Sequence, residues 1–69
     1  TGQLESALQD LDRAIELDPG LAISYYNRAL VYVLLGKDSE ARQDGQRAVV
    51  LGIDASTLKE AITQLETRP

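Results

Sequence analysis

The chain contains no Cys, no His and no Met in its 69 residues. Without Cys and His there are no disulfides, no zinc or haem ligands of the usual kinds, and no Cys–His or Ser–His nucleophile. A domain of roughly 60 residues buries only about 60% of the surface its unfolded chain exposes, and most such domains add a crosslink or a partner. What remains here is side-chain contact between elements, helped by self-association or by further chain. With no Met, the chain does not begin at a retained initiator, and a piece of a longer protein is expected.

Long apolar runs and basic clusters are also missing. The longest apolar stretch, Ala29 to Leu35, has seven residues, and extending it back to Leu21 brings in Ser24, Asn27 and Arg28. That is too short and too polar for a membrane span. No basic start leads into an apolar core, so no signal peptide is read. The net charge is −4, and the seven basic residues are scattered singly. This argues against nucleic-acid or anionic-membrane partners, which need clustered Lys or Arg. The acidic balance is read as a solubility device.

What is present is helical periodicity between turn signals. Asp18-Pro19-Gly20 ends a first segment, since Pro cannot continue a helix and Gly accepts a left-handed turn. Gly36 ends a second and Gly52 a third, with Asp38 placed to cap the third helix. Thr57-x-x-Glu60 matches a capping box for the fourth. The apolar residues recur at helical spacing: Leu4, Ala7, Leu8, Leu11, Ala14 and Ile15 in the first segment, and Leu58, Ala61, Ile62 and Leu65 in the last. The second segment is apolar nearly all round, which suits a helix covered on several sides. The expectation is an all-α chain with helices near residues 3–17, 22–35, 38–51 and 55–67, antiparallel and joined by short links. Tyr25, Ala29, Tyr32, Ala41 and Ala48 are expected to be largely buried.

An internal echo sharpens this. Shifted by 34 residues, Gly2 falls on Gly36, Ala7 on Ala41, Gln9 on Gln43, Asp10 on Asp44, Arg13 on Arg47, Ala14 on Ala48 and Leu17 on Leu51. A generic bundle of three or four helices gives no reason for such a period. The chain also shows Tyr25-x₂-Arg28-Ala29-x₂-Tyr32, then Gly36, then Ala41-x₃-Gly45-x₂-Ala48, preceded by Ala7-x₃-Leu11-x₂-Ala14 and Leu17-Asp18-Pro19. These residues resemble the tetratricopeptide repeat motif, an aromatic-x₂-Leu-Gly-x₂-Tyr run followed by Gly, Ala-x₃-aromatic-x₂-Ala and Pro. The resemblance is close to about residue 54. It implies the second helix of a partial repeat at 1–20, a complete repeat at 21–54 and a closing helix at 55–69.

The departures carry their own expectations. Gly45 replaces a large residue, weakening its helix by about 0.5–1 kcal/mol relative to Ala and leaving space for Tyr25 or Tyr32. Gly52-Ile53 replaces the Asp-Pro ending, so a looser close is expected there. Lys59, Thr63 and Glu66, which stand 34 residues after Tyr25, Ala29 and Tyr32, give the last helix one wet face, as the end of a repeat array requires.

No constellation for catalysis is read. The eleven carboxylates fall on helix faces and at caps, with Asp10–Arg13 and Asp44–Arg47 expected as surface pairs. No cofactor and no metal are expected. The resemblance assigns Ile23, Tyr26, Asn27, Leu30 and Val33 to a concave groove that takes a peptide or helix of a protein partner. Asn27 matches one position of a carboxylate clamp, but Tyr26 and Leu30 stand where the clamp's polar contacts would be. Two readings stay open: a peptide-binding scaffold, and a structural or oligomerisation element whose apolar faces meet other repeats or copies. Because the first helix lacks a hairpin partner, self-association through Leu4, Leu8, Leu11 and Ile15 is expected.

Overall fold

The computed structural model describes residues 2–67; Thr1, Arg68 and Pro69, the extreme ends of the first and last expected segments, lie outside the described residues. Four α-helices follow one another: α1 (Gly2–Leu17), α2 (Ala22–Leu34), α3 (Asp38–Val50) and α4 (Ala55–Glu66). The bounds match the periodicity to within a residue, because each segment is cut by a turn whose chemistry is local. Links this short fold consecutive helices back as antiparallel neighbours. No strand occurs among the described residues, and none of their helices is long and apolar enough to cross a membrane.

The two glycine turns are built alike. Gly36 and Gly52 take positive φ, 76° and 127°. At the first, Lys37 N–H donates to the Tyr32 carbonyl (2.9 Å) and Gly36 N–H to that of Val33 (3.1 Å). At the second, Ile53 N–H donates to Ala48 (2.9 Å) and Gly52 N–H to Val49 (3.1 Å). Both are Schellman closures, which satisfy carbonyls that a helix end would otherwise leave open. The looser ending expected at Gly52-Ile53 is therefore not found.

The other caps differ from expectation. Gly20 does not take the left-handed conformation; the turn is instead an Asx turn, with the Asp18 carboxylate accepting from Gly20 N–H at 3.2 Å. Lys37, not Asp38, is the N-cap of α3 and makes no side-chain cap. Asp38 and Glu40 sit in the first turn, where negative charge meets the positive end of the helix dipole. For α4 the N-cap is Asp54, whose carboxylate accepts from Ser56 N–H at 2.8 Å. Thr57 lies inside the helix, so the capping box starting there does not form.

The Cα extents, 35 × 29 × 16 Å, describe a slab about two helix layers thick. Such a slab has no deep interior. Its most buried residues are small or central: Ala29 and Ala48 at 0% exposure, Ala41, Tyr25 and Ser24. Tyr32 is only half-buried, less than its place in the motif suggested. α2 is the middle element, packed against α1, α3 and α4. That position explains its nearly all-round apolar sequence.

Gly45 is buried and has a neighbour that sequence did not indicate. A Cβ built there would lie 3.0 Å from Leu58 Cδ2, so the gap opposite Gly45 is taken by α4, not by a tyrosine. The missing side chain lets Leu58 of α4 approach the backbone of α3. Two opposing effects thus meet in Gly45→Ala: a propensity gain of about 0.5–1 kcal/mol and a displaced Leu58. We expect urea denaturation to show less than the full gain in the native background and the full gain in Leu58→Ala. Gly36→Ala, forced into a left-handed conformation, should cost about 1–2 kcal/mol in either background.

Candidate functional site

Two faces of α2 carry its polar chemistry, and they behave differently. The inward face presents Tyr25, Arg28, Ala29 and Tyr32, spaced so that all four lie on one side of the helix. Arg28 stands in the leucine slot of the motif, in the middle of an otherwise apolar surface. Its guanidinium is held from two helices at once. Nε donates to Asp44 Oδ2 at 2.7 Å and Nη2 to Asp44 Oδ1 at 2.8 Å, a bidentate fork to α3. Nη1 donates to Asp12 Oδ1 of α1 at 2.9 Å. The rings of Tyr25 and Tyr32 flank it, with the guanidinium carbon 5.8 and 5.9 Å from their centroids.

This arrangement overturns the expected surface pairs. Asp44 is 6% exposed and turned to Arg28, not to Arg47. The Asp10–Arg13 pair is likewise not among the ion pairs of the described residues. Arg47 instead lies with its guanidinium carbon 6.0 Å from the Tyr25 ring centroid. No buried side-chain polar atom among the described residues lacks a partner. The Tyr25 hydroxyl donates to the Pro19 carbonyl at 2.9 Å, tying the first turn to the same cluster. Sequence held one unused signal. A lone Arg inside an apolar helix must find an acceptor, since burying an unpaired charge is costly.

The bond to Asp44 raises the Arg28 pKa above its ordinary value, against the opposing effect of burial. Its positive charge is therefore permanent. Burial raises the Tyr32 phenol, with the Arg28 cation pulling the other way. A phenol whose folded pKa is raised contributes stability that is present below its unfolded value, about 10, and lost as pH rises through the folded value.

The outward face of α2 carries the residues assigned to the groove. Ile23 is 46% exposed and Asn27 is exposed, whereas Tyr26, Leu30 and Val33 are half-buried. Ile23, Tyr26, Leu30 and Val33 follow helical spacing along one side, with Asn27 beside Tyr26. Val33 borders an opening shared with Ala41 and Ile62. The row holds no His, Cys or carboxylate, and no group of three or more metal-binding side chains occurs among the described residues. The row can supply apolar contact area and one amide, which suits recognition of a chain segment.

Two measurements follow from the inward cluster. Asp44→Ala leaves the Arg28 charge half-buried without its fork and should cost about 3 kcal/mol in urea denaturation. Asp12→Ala, at a carboxylate 53% exposed, should cost less than about 1 kcal/mol. Equal costs would mean that Asp44 is not the principal holder. On the alkaline side, stability should fall above pH about 10, and Tyr32→Phe should remove the Tyr32 share of that loss.

The comparisons with known proteins agree with this geometry. A family model described as TPR repeat matches residues 1–36. Tetratricopeptide repeat protein 36 of Xenopus tropicalis is 42% identical over 57 residues, covering 77% of this chain and 28% of that protein. DnaJ homolog subfamily C member 3 of Rattus norvegicus is 40% identical over 53 residues, covering 77% of this chain and 10% of the relative. A FAM10 family protein of Arabidopsis thaliana is 44% identical over 48 residues, covering 70% and 11%. The chain thus spans less than a third of the length of these relatives. No solved structure matches. A helical slab with its alanines at the crossings, a 34-residue echo and a matching family model agree with one another, and the chain belongs to the tetratricopeptide repeat family.

Proposed function

We propose that this chain is a protein-interaction scaffold whose outward α2 face takes an apolar or amphipathic segment of a partner protein. Repeats of this family generally mediate protein–protein interaction, and its members are generally non-enzymatic scaffolds. The observation that carries the finer reading is the state of α2. Its inward face is fixed by Arg28 and by contact with the other three helices, while Ile23 and Asn27 remain exposed on the other side. A rigid helix presenting an apolar row loses little conformational entropy on binding. Tyr26 and Leu30 are the anchors in this reading, since desolvated aromatic and aliphatic side chains carry most interface energy. Asn27 would bond the partner's backbone. Residues 1–20, 21–54 and 55–69 are then a half-repeat, a complete repeat and a closing helix.

A second reading has its own observation. α1 has no buried residue, and Leu17 at its end is 79% exposed. Leu4, Leu8, Leu11 and Ile15 are half-buried, so their face is only partly covered. A structural element associating through α1, as a homodimer or with other repeats, would cover it.

Tyr26→Ala and Leu30→Ser separate the two readings. With helicity retained by circular dichroism, each should weaken capture of a partner by about tenfold or more. Unchanged capture would leave α2 as a structural face. Light scattering at high protein concentration should show a monomer if the scaffold reading stands alone, and a dimer dispersed by Leu8→Glu if α1 associates.

A further inference from the structure

The 34-residue echo matches α1 to α3 residue by residue, yet the two helices are covered differently. Ala41, Asp44 and Ala48 of α3 are all buried. Their counterparts on α1 are Ala7, Asp10 and Ala14; both alanines are only half-buried and Asp10 is exposed. Spacing by three and four residues keeps each set on one side of its helix. On α3 that side meets α2, whose Arg28 forks onto Asp44, while Arg47 lies against the Tyr25 ring. On α1 the counterpart of Arg47 is Arg13, also exposed. Neither Asp10 nor Arg13 takes part in an ion pair among the described residues.

This row is distinct from the leucine face of α1. Leu8, Leu11 and Ile15 stand 34 residues before Arg42, Gly45 and Val49, which line the opening against α4. The side of α1 that carries Ala7, Asp10 and Ala14 therefore repeats, position by position, the surface with which α3 holds a helix bearing an arginine. Here that surface is open, and its carboxylate has no cation.

We propose that Ala7, Asp10 and Ala14 form a docking surface for a helix of a partner protein that repeats the inward pattern of α2, an arginine set between aromatic residues at Tyr-x₂-Arg-Ala-x₂-Tyr spacing. The two alanines let the helix backbones approach closely, as at the crossing of α2 and α3. The Asp10 carboxylate accepts a fork from the incoming guanidinium, and Arg13 lies against an incoming ring. The arginine discriminates, since a carboxylate at its place sets like charges together. The inference depends on neither the α2 row nor the leucine face.

The test uses the whole chain and two synthetic helical peptides. Both carry the α2 pattern on one side and polar residues elsewhere, and the second has Glu in place of the arginine. In fluorescence anisotropy at about 50 mM salt, where surface charges are weakly screened, the Arg peptide should bind at least about threefold tighter. Asp10→Arg should reverse the preference, Asp10→Asn should reduce it, and Ala14→Leu should weaken both peptides by holding the helices apart. Tyr26→Ala and Leu8→Glu should change neither. Circular dichroism checks every variant, and Asp10→Asn carries the test if Asp10→Arg unfolds. Equal affinity for the two peptides, failure of both to bind, or a preference that survives both changes at Asp10 would overturn the proposal. Loss of binding in Tyr26→Ala would also overturn it, by placing the peptide on the α2 row. So would a self-association that Asp10→Arg disperses, because a second copy would then cover the row.

Discussion

A single guanidinium ties three helices together in this molecule. Arg28 projects from α2, forks onto Asp44 of α3 and reaches Asp12 of α1. A half-buried cation tolerates few alternatives: it must keep its acceptors or carry an uncompensated desolvation cost. Such a clasp fixes the relative placement of three helices more sharply than apolar contact does, since apolar contact has no preferred direction. The tyrosines on either side add cation–π contact, and Tyr25 extends the cluster to the first turn through Pro19. The aspartate echo at Asp10 and Asp44 is broken by burial. Asp10 remains exposed on α1, while Asp44 becomes the inner acceptor because α2 presents an arginine to it.

The thinness of the slab makes that clasp important. No large side chain among the described residues is fully buried, and those at 0% exposure are alanines at helix crossings. Small residues let two backbones approach closely, which brings the polar groups of neighbouring helices within bonding distance. Gly45 extends the same logic to the last helix. With no side chain in the way, Leu58 seats directly against α3.

Fixing α2 from three sides also shapes the surface. Its inward face is committed to Arg28 and the alanine crossings, so the side carrying Ile23 and Asn27 faces outward by elimination. On α3 the same commitment turns Asp44 inward, while Asp38 and Glu40 stay exposed in the first turn of the helix.

Helix positions, the 34-residue period and the buried alanines were legible in the sequence because they follow from local signals. Apolar spacing, proline and glycine act within a few residues, and the observed helix bounds agree with them. The Schellman turns at Gly36 and Gly52 belong to the same class, although only coordinates reveal that both close alike. The partners of charged and missing side chains were decided by tertiary structure. Asp44 bonds a residue 16 positions away, and the space at Gly45 is filled by Leu58 from another helix. A carboxylate at helical spacing from an arginine satisfies a local rule equally well whether it faces water or a neighbouring helix. Only the docking of α2 between α1 and α3 selects which, because burial makes the unpaired alternative costly.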